Sequence, residues 1–183
     1  MDRQVGRVPD ELERTGLDES TIVVFTSDHG YHLEDHGLWK KQSVFENAAR
    51  VPLIVRVPAA VREAAARGES TRSLAGLIDL YPTLAELAGL DAPDYLDGVS
   101  LVPVLDDPSA SVQDAVLTEA SGNPRGLSVR TDQYRYTRYR RGNGETSELL
   151  FDYEADPRET RNLIGEDGSE AIVEELEKLL PKT

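Results

Sequence analysis

The 183-residue chain contains no cysteine, so it has no disulfide frame, no thiolate metal site and no thiol nucleophile. Lysine is nearly as scarce, because the 20 cationic residues are 16 Arg and only 4 Lys, set against 34 Asp plus Glu for a formal net charge of -14. That balance repels phosphate backbones and anionic bilayers, which argues against nucleic acid and membrane as partners. An acidic, lysine-poor composition also suits a high-salt medium that screens self-repulsion. No run approaches the roughly 20 apolar residues of a membrane span. The opening MDRQVGRVPDE lacks the apolar core of a signal peptide, so the chain reads as soluble. Its cellular location is left open, since any signal peptide would precede Met1.

What is present is a folded α/β pattern without internal repeats or low-complexity tracts. Val5, Val8 and Leu12 recur at helical spacing, predicting a helix over 2–15 that carries Pro9 inside and no capping residue before it. The missing cap is what a chain cut from a longer one would show. Residues 21–26, TIVVFT, read as a central parallel strand covered on both faces, and LIVRV at 53–57 as a second buried strand in a βαβ rhythm. Between them a short helix is expected at 44–49. An Ala- and Arg-rich helix is expected at 59–67, and a helix after Pro82 with Leu84, Leu87 and Ala88 buried. Beyond about residue 90 the alternation of AVLTEA and GLSVRTDQYRYTRYR predicts antiparallel strands, followed by a hairpin at GNGE, the strand LLFDY and an acidic helix over 169–180 with Ile172, Leu176 and Leu179 inward. The expected organisation is therefore part of a mixed, largely parallel sheet flanked by helices over 1–110, and a smaller antiparallel sheet with a terminal helix over 111–183.

The polar segment SDHGYHLEDHGLWKK follows directly on the 21–26 strand, where open α/β sheets place their ligands. Asp28 and His29 put a carboxylate and an imidazole side by side, a pairing suited to a cation, and Gly30 allows a sharp turn after them. In isolation the pair is better explained as a turn cap and a surface histidine. Lys41, with Lys40 beside it, brings an ammonium suited to a compact anion. His32, Asp35 and His36 share the loop as plain loop residues, Tyr31 and Trp39 are expected chiefly to pack, and Glu46 and Arg50 to support the loop.

Taken together, TIVVFTSDHGYHLEDHGLWKKQSVFENAARVPLIV resembles the type I sulfatases of the alkaline phosphatase superfamily, in which a strand ends in S-D-[HN]-G and a lysine follows before R/H-V-P-L. The iduronate-2-sulfatase-like and choline-sulfatase-like branches are the nearest in pattern. SLAGLIDLYPTLAELAGL, DGVSLVPVL, VRTDQYRYTRY and LFDYEADPRETRNL match further blocks in the same order, so the resemblance spans nearly the whole chain. It implies that Asp28 and His29 are two ligands of a divalent cation, Ca2+ or, better suited to an imidazole, Mn2+. It also implies that Lys41 holds the sulfate ester and stabilises charge building on it.

One departure is plain. The family's nucleophile, a Cys or Ser in C/S-x-P-x-R converted to formylglycine, has no counterpart here, and the upstream Asp pair that completes the metal shell is also missing. Ser121-Gly122-Asn123-Pro124-Arg125 has its proline one place late and lies on the wrong side of the metal pair. The chain thus resembles the carboxyl-terminal part of a sulfatase, with formylglycine expected only in an upstream half. Three readings follow: a sulfatase fragment whose partner is a complementary amino-terminal chain, a phosphate or phosphonate monoester hydrolase of the same superfamily, or a non-catalytic interaction module. Positioning groups without a nucleophile leave the covalent step unsupplied. Highly purified 183-residue chain is therefore expected to show no enzymatic turnover of aryl sulfates in a colorimetric assay, and turnover would refute the assignment.

Overall fold

The computed structural model describes residues 2–181. The chain divides into two compact units, one made of residues 1–26 and 52–112 and the other of residues 27–51 and 113–183. Helices and antiparallel sheets are combined in the α/β manner expected.

In the first unit, helix α1 spans Asp2–Thr15 as the periodicity predicts, with Pro9 inside it and no residue buried. Strand β1 (Val23–Thr26) pairs antiparallel with β4 (Leu53–Arg56), Thr26 opposite Leu53 and Val23 opposite Arg56. The expected parallel βαβ crossover is therefore corrected: residues 27–52 carry no helix longer than one turn, too little to lead the chain across a sheet and back in the same direction. Nor is either strand covered on both faces, since β1 is half-buried throughout and β4 alternates, leaving Ile54 exposed. Residues 59–67 form turns and not the expected helix. They are held from outside, by the Arg62 fork on Asp106 at 2.5 and 2.6 Å and by the Ala66 N–H donating to the Leu105 carbonyl. The segment still buries Ala65 in the core, and these bonds to the α4 region hold it without a helical ladder of its own. Val57, Ala65, Leu87 and Val102 form the core of this unit.

Helix α3 (Leu80–Leu87) buries Pro82, Thr83 and Leu87, whereas Leu84 and Ala88 are exposed, a rotation from the expected face. The cause is polar. Buried Asp79 accepts from the N–H groups of Gly76 and Val99, while Thr83 Oγ1 donates to the Asp79 carbonyl and accepts from Leu101 N–H at 2.8 Å. The segment 98–101, which leads into helix α4 (Val102–Asp106), is thereby pinned to α3. Gly98 is required by close approach, since a Cβ there would lie 2.2 Å from the Ile78 carbonyl oxygen.

In the second unit, the site loop carries the hairpin strands β2 (His32–Leu33) and β3 (Trp39–Lys40) and helix α2 (Glu46–Ala49). Strands β5 (Val116–Ala120), β6 (Arg125–Arg130), β7 (Tyr134–Arg140) and β8 (Thr146–Asp152) form a four-stranded antiparallel meander in sequence order, as the alternation predicts. Helix α5 (Ser169–Glu177) and the turn after it cover one face. There Val129, Tyr136 and Leu150, neighbours across three strands, pack on Leu176 and Leu180. Leu180 takes the inward place expected of Leu179, which is exposed, because the chain after Lys178 tightens into turns and no longer follows the 3.6-residue period.

Replacing Thr83 by Val leaves the buried Leu101 N–H without an acceptor, and a loss of about 1–3 kcal/mol is expected. Urea unfolding should show it as a lower midpoint with unchanged slope, and Thr83→Ser should retain most of the stability.

Candidate functional site

The site is built on the second unit's loop, which begins where β1 ends. Asp28 is almost fully exposed, its side chain 81% accessible, and its Oδ1 accepts the His29 N–H at 3.1 Å. Ser27 Oγ donates to the His29 carbonyl at 2.9 Å, fixing the backbone on both sides of the imidazole. His29 Nδ1 lies 2.7 Å from the Gly30 carbonyl oxygen, a contact only a protonated nitrogen can make. The other nitrogen, Nε2, faces outward, and because the Lys41 ammonium that reaches it can only donate, it presents its lone pair there. Asp28 Oδ2 stands 3.3 Å from that nitrogen and Lys41 Nζ 2.5 Å from it, donating a hydrogen bond. Asp28, His29 and Lys41 thus meet at one point despite the 12 positions between the last two.

Two features of the loop bring them there. The Gly30 N–H donates to the Ala48 carbonyl at 2.8 Å, and a Cβ at Gly30 would lie 1.9 Å from the Asn47 carbonyl oxygen. Gly30 is thus demanded by close packing on α2; its φ is not positive, so the expected sharp turn is not its role. Left-handed backbone falls instead at Glu34, His36, Gly37 and Lys40, where the hairpin reverses.

Helix α2 is in turn fixed to the meander by a buried charge network. Arg135 on β7 and Glu159 are each 2% exposed. The Arg135 guanidinium donates through Nε to Glu159 at 2.7 Å and through Nη2 to Glu46 at 2.5 Å. Glu159 Oε2 also accepts the Glu46 N–H at 2.8 Å, and the Tyr153 hydroxyl joins both carboxylates. Burial pulls the Arg135 guanidinium down, but Tyr153, Glu159 and Glu46 outweigh it and hold it above the ordinary value. Burial and the neighbouring carboxylates push the Tyr153 hydroxyl well up, against the pull of Arg135. Both therefore keep their protons. Glu159 holds this place with φ at +56°, a strained conformation for a residue with a Cβ.

The remaining loop residues serve the fold. His32 is buried with Nε2 2.6 Å from Ser43 Oγ, and desolvation, helped by His36, lowers its pKa. His36 stacks on Phe45 at 4.2 Å, and Phe45 packs on Phe151 of β8. Tyr31 and Trp39, expected to pack, are 54% and 62% exposed, because the two-residue strands of the hairpin offer nothing to cover them. Glu46 supports the loop as expected, with Arg50 3.7 Å from it. Sequence reasoning missed Arg135 and Glu159. The available signal was an arginine between two tyrosines in a strand, a charge where alternation leaves no exposed face.

Tested for a cation, the donors fit one side of a coordination shell. Asp28 and the outward lone pair of His29 face the same point, but no group of three or more His, Asp or Glu positioned for a metal exists among the described residues. A neighbouring open depression of about 760 Å3, flanked by Arg50 and Arg158 with Asp35 and Glu46, is lined by none of the three.

Residues 34–183 match the family model described as N-sulphoglucosamine sulphohydrolase, C-terminal. The choline-sulfatase of Rhizobium meliloti is 37% identical over 89% of this chain and 31% of its own length. A solved structure described as a complex with its substrate D-glucosamine-2-N,6-O-disulfate is 29% identical with a TM-score of 0.87, over 97% of this chain and 37% of that one. A phosphonate monoester hydrolase of Agrobacterium radiobacter is 26% identical with a TM-score of 0.82, over 97% and 38%. The chain spans about a third of the length of the curated relatives it matches.

Methionine at 135 would strand the buried carboxylate of Glu159 and leave Glu46 without its strongest partner. Arg135→Met is expected to cost about 3–5 kcal/mol in chemical denaturation. Adding Glu159→Gln to it should recover part of that loss.

Proposed function

The chain belongs to the sulfatases, in the family of the N-sulphoglucosamine sulphohydrolase carboxyl-terminal region, and from that membership we propose that it supplies the cation- and sulfate-holding side of a sulfuric ester hydrolase. The observation that carries the reading is the meeting of Asp28, His29 Nε2 and Lys41 Nζ at one exposed point. Asp28 and His29 hold a divalent cation, calcium or manganese, and Lys41 binds a sulfate oxygen of the ester. When bound, the cation neutralises sulfate oxygens and makes the sulfur a better target for the nucleophile. The chain's own contribution is positional: Gly30 and Ser27 orient the imidazole, and Lys41 places a positive charge where negative charge develops. The nucleophile, a formylglycine hydrate, and the remaining cation ligands belong to a complementary amino-terminal region or chain. In this reading residues 1–110, the site loop among them, complete the catalytic α/β domain, and 111–183 form a carboxyl-terminal α+β subdomain against which the loop packs.

A second reading keeps the site and exchanges the substrate for a phosphate or phosphonate monoester. The likeness to phosphonate monoester hydrolases supports it, and the same charges would stabilise a transferring phosphoryl group.

The test is titration of the chain with calcium and manganese, followed by histidine ring NMR. The His29 resonances are expected to shift with millimolar-range affinity, since two ligands serve ions that take six or more, and Asp28→Asn should weaken the effect about tenfold. Unchanged His29 signals would overturn the site. Binding of matched sulfate and phosphate monoesters to the ion-loaded chain then separates the two substrate readings, and loss of either in Lys41→Ala assigns the anion contact.

A further inference from the structure

Two groups claim the same electron pair. His29 Nδ1 is committed to the Gly30 carbonyl oxygen at 2.7 Å, so Nε2 holds the only lone pair in the plane of the ring. Lys41 Nζ occupies it at 2.5 Å. A cation liganded by His29 needs that same lone pair from that same direction, and Asp28 Oδ2, 3.3 Å from the nitrogen, faces that side as well. An ammonium and a metal ion cannot both stand there, for want of electrons and because like charges repel.

We propose that Lys41 and the divalent cation compete for His29 Nε2, so that ion binding is the event that frees the ammonium to hold the sulfate. The inference rests on the reading of Asp28 and His29 as cation ligands. Lys41 is exposed and carries a flexible four-carbon stem, so withdrawal needs only rotation about side-chain bonds. His29, by contrast, is held by Ser27 and Gly30 and stays where the ion needs it. In the ion-free chain the lysine therefore satisfies the imidazole and is withheld from anions. In the loaded chain it is released beside the cation, where a sulfate oxygen is its natural acceptor. Assembly is ordered, cation before sulfate, and by linkage each favours the other.

Manganese titration of the full chain tests this, read by broadening of the His29 ring signals and by acylation of the Lys41 amine mapped by mass spectrometry. Lys41→Met is expected to tighten manganese binding about tenfold, within the usual range of site coupling. Lys40→Met removes the same charge one residue away and is expected to change it less than about threefold. The difference should persist at high salt, where charge repulsion alone is screened. In the native chain, saturating manganese should raise Lys41 acylation several-fold. If His29 senses the ion while Lys41 acylation stays constant, or if the two variants behave alike or converge at high salt, competition for the lone pair is overturned and the cation site stands. If His29 does not respond at all, both fall.

Discussion

The buried Arg135 guanidinium is the point through which the site is held to the rest of its unit. It joins a sheet strand to Glu46 at the start of α2 and to Glu159 in the tail, and Glu159 returns to the Glu46 backbone. Helix α2 then receives Gly30 across a contact too tight for any side chain, and Gly30 orients His29 through its carbonyl oxygen. Each link is a hydrogen bond or a steric limit between named atoms. A charge buried this deeply is costly unless all its donors are met, so the network favours one arrangement of the loop over its neighbours.

The meander illustrates how a small sheet gains two different faces. Tyr136 and its cross-strand neighbours Val129 and Leu150 give an apolar face to α5, while Arg135, Thr137 and Ser128 give a polar one. Phe45 packs on Phe151 beside that polar face, which places the loop by one ring contact and several charged hydrogen bonds. Burial on both sides excludes water from the middle of β7, at Arg135, Tyr136 and Thr137.

Much of this was legible in the residues. The β5–β8 alternation, the GNGE reversal and the presence of α3 and α5 come from local patterns that local physics enforces, whereas Asp28, His29 and Lys41 were singled out by the family resemblance of the loop that carries them. The failures share a cause. Leu84 and Leu179 were placed by apolar spacing, but Thr83 hydrogen bonds rotate one helix and a tightened last turn shifts the other. The antiparallel pairing of β1 with β4 depends on what the intervening loop does, and Arg135 with Glu159 on a partner 24 residues away, and neither is written in a short window of sequence.

The sequential order of the meander also bears on how the molecule is assembled. Strands β5 to β8 each pair with their nearest neighbour along the chain, so these contacts close short loops and form early. The bonds that seat the site loop span 89 residues for Arg135 with Glu46 and 113 for Glu46 with Glu159. Closing such distances carries a larger entropic cost and needs a finished strand to close upon. The site loop is thus the last part of its unit to settle, and during synthesis it waits, already made, for residues that emerge much later from the ribosome.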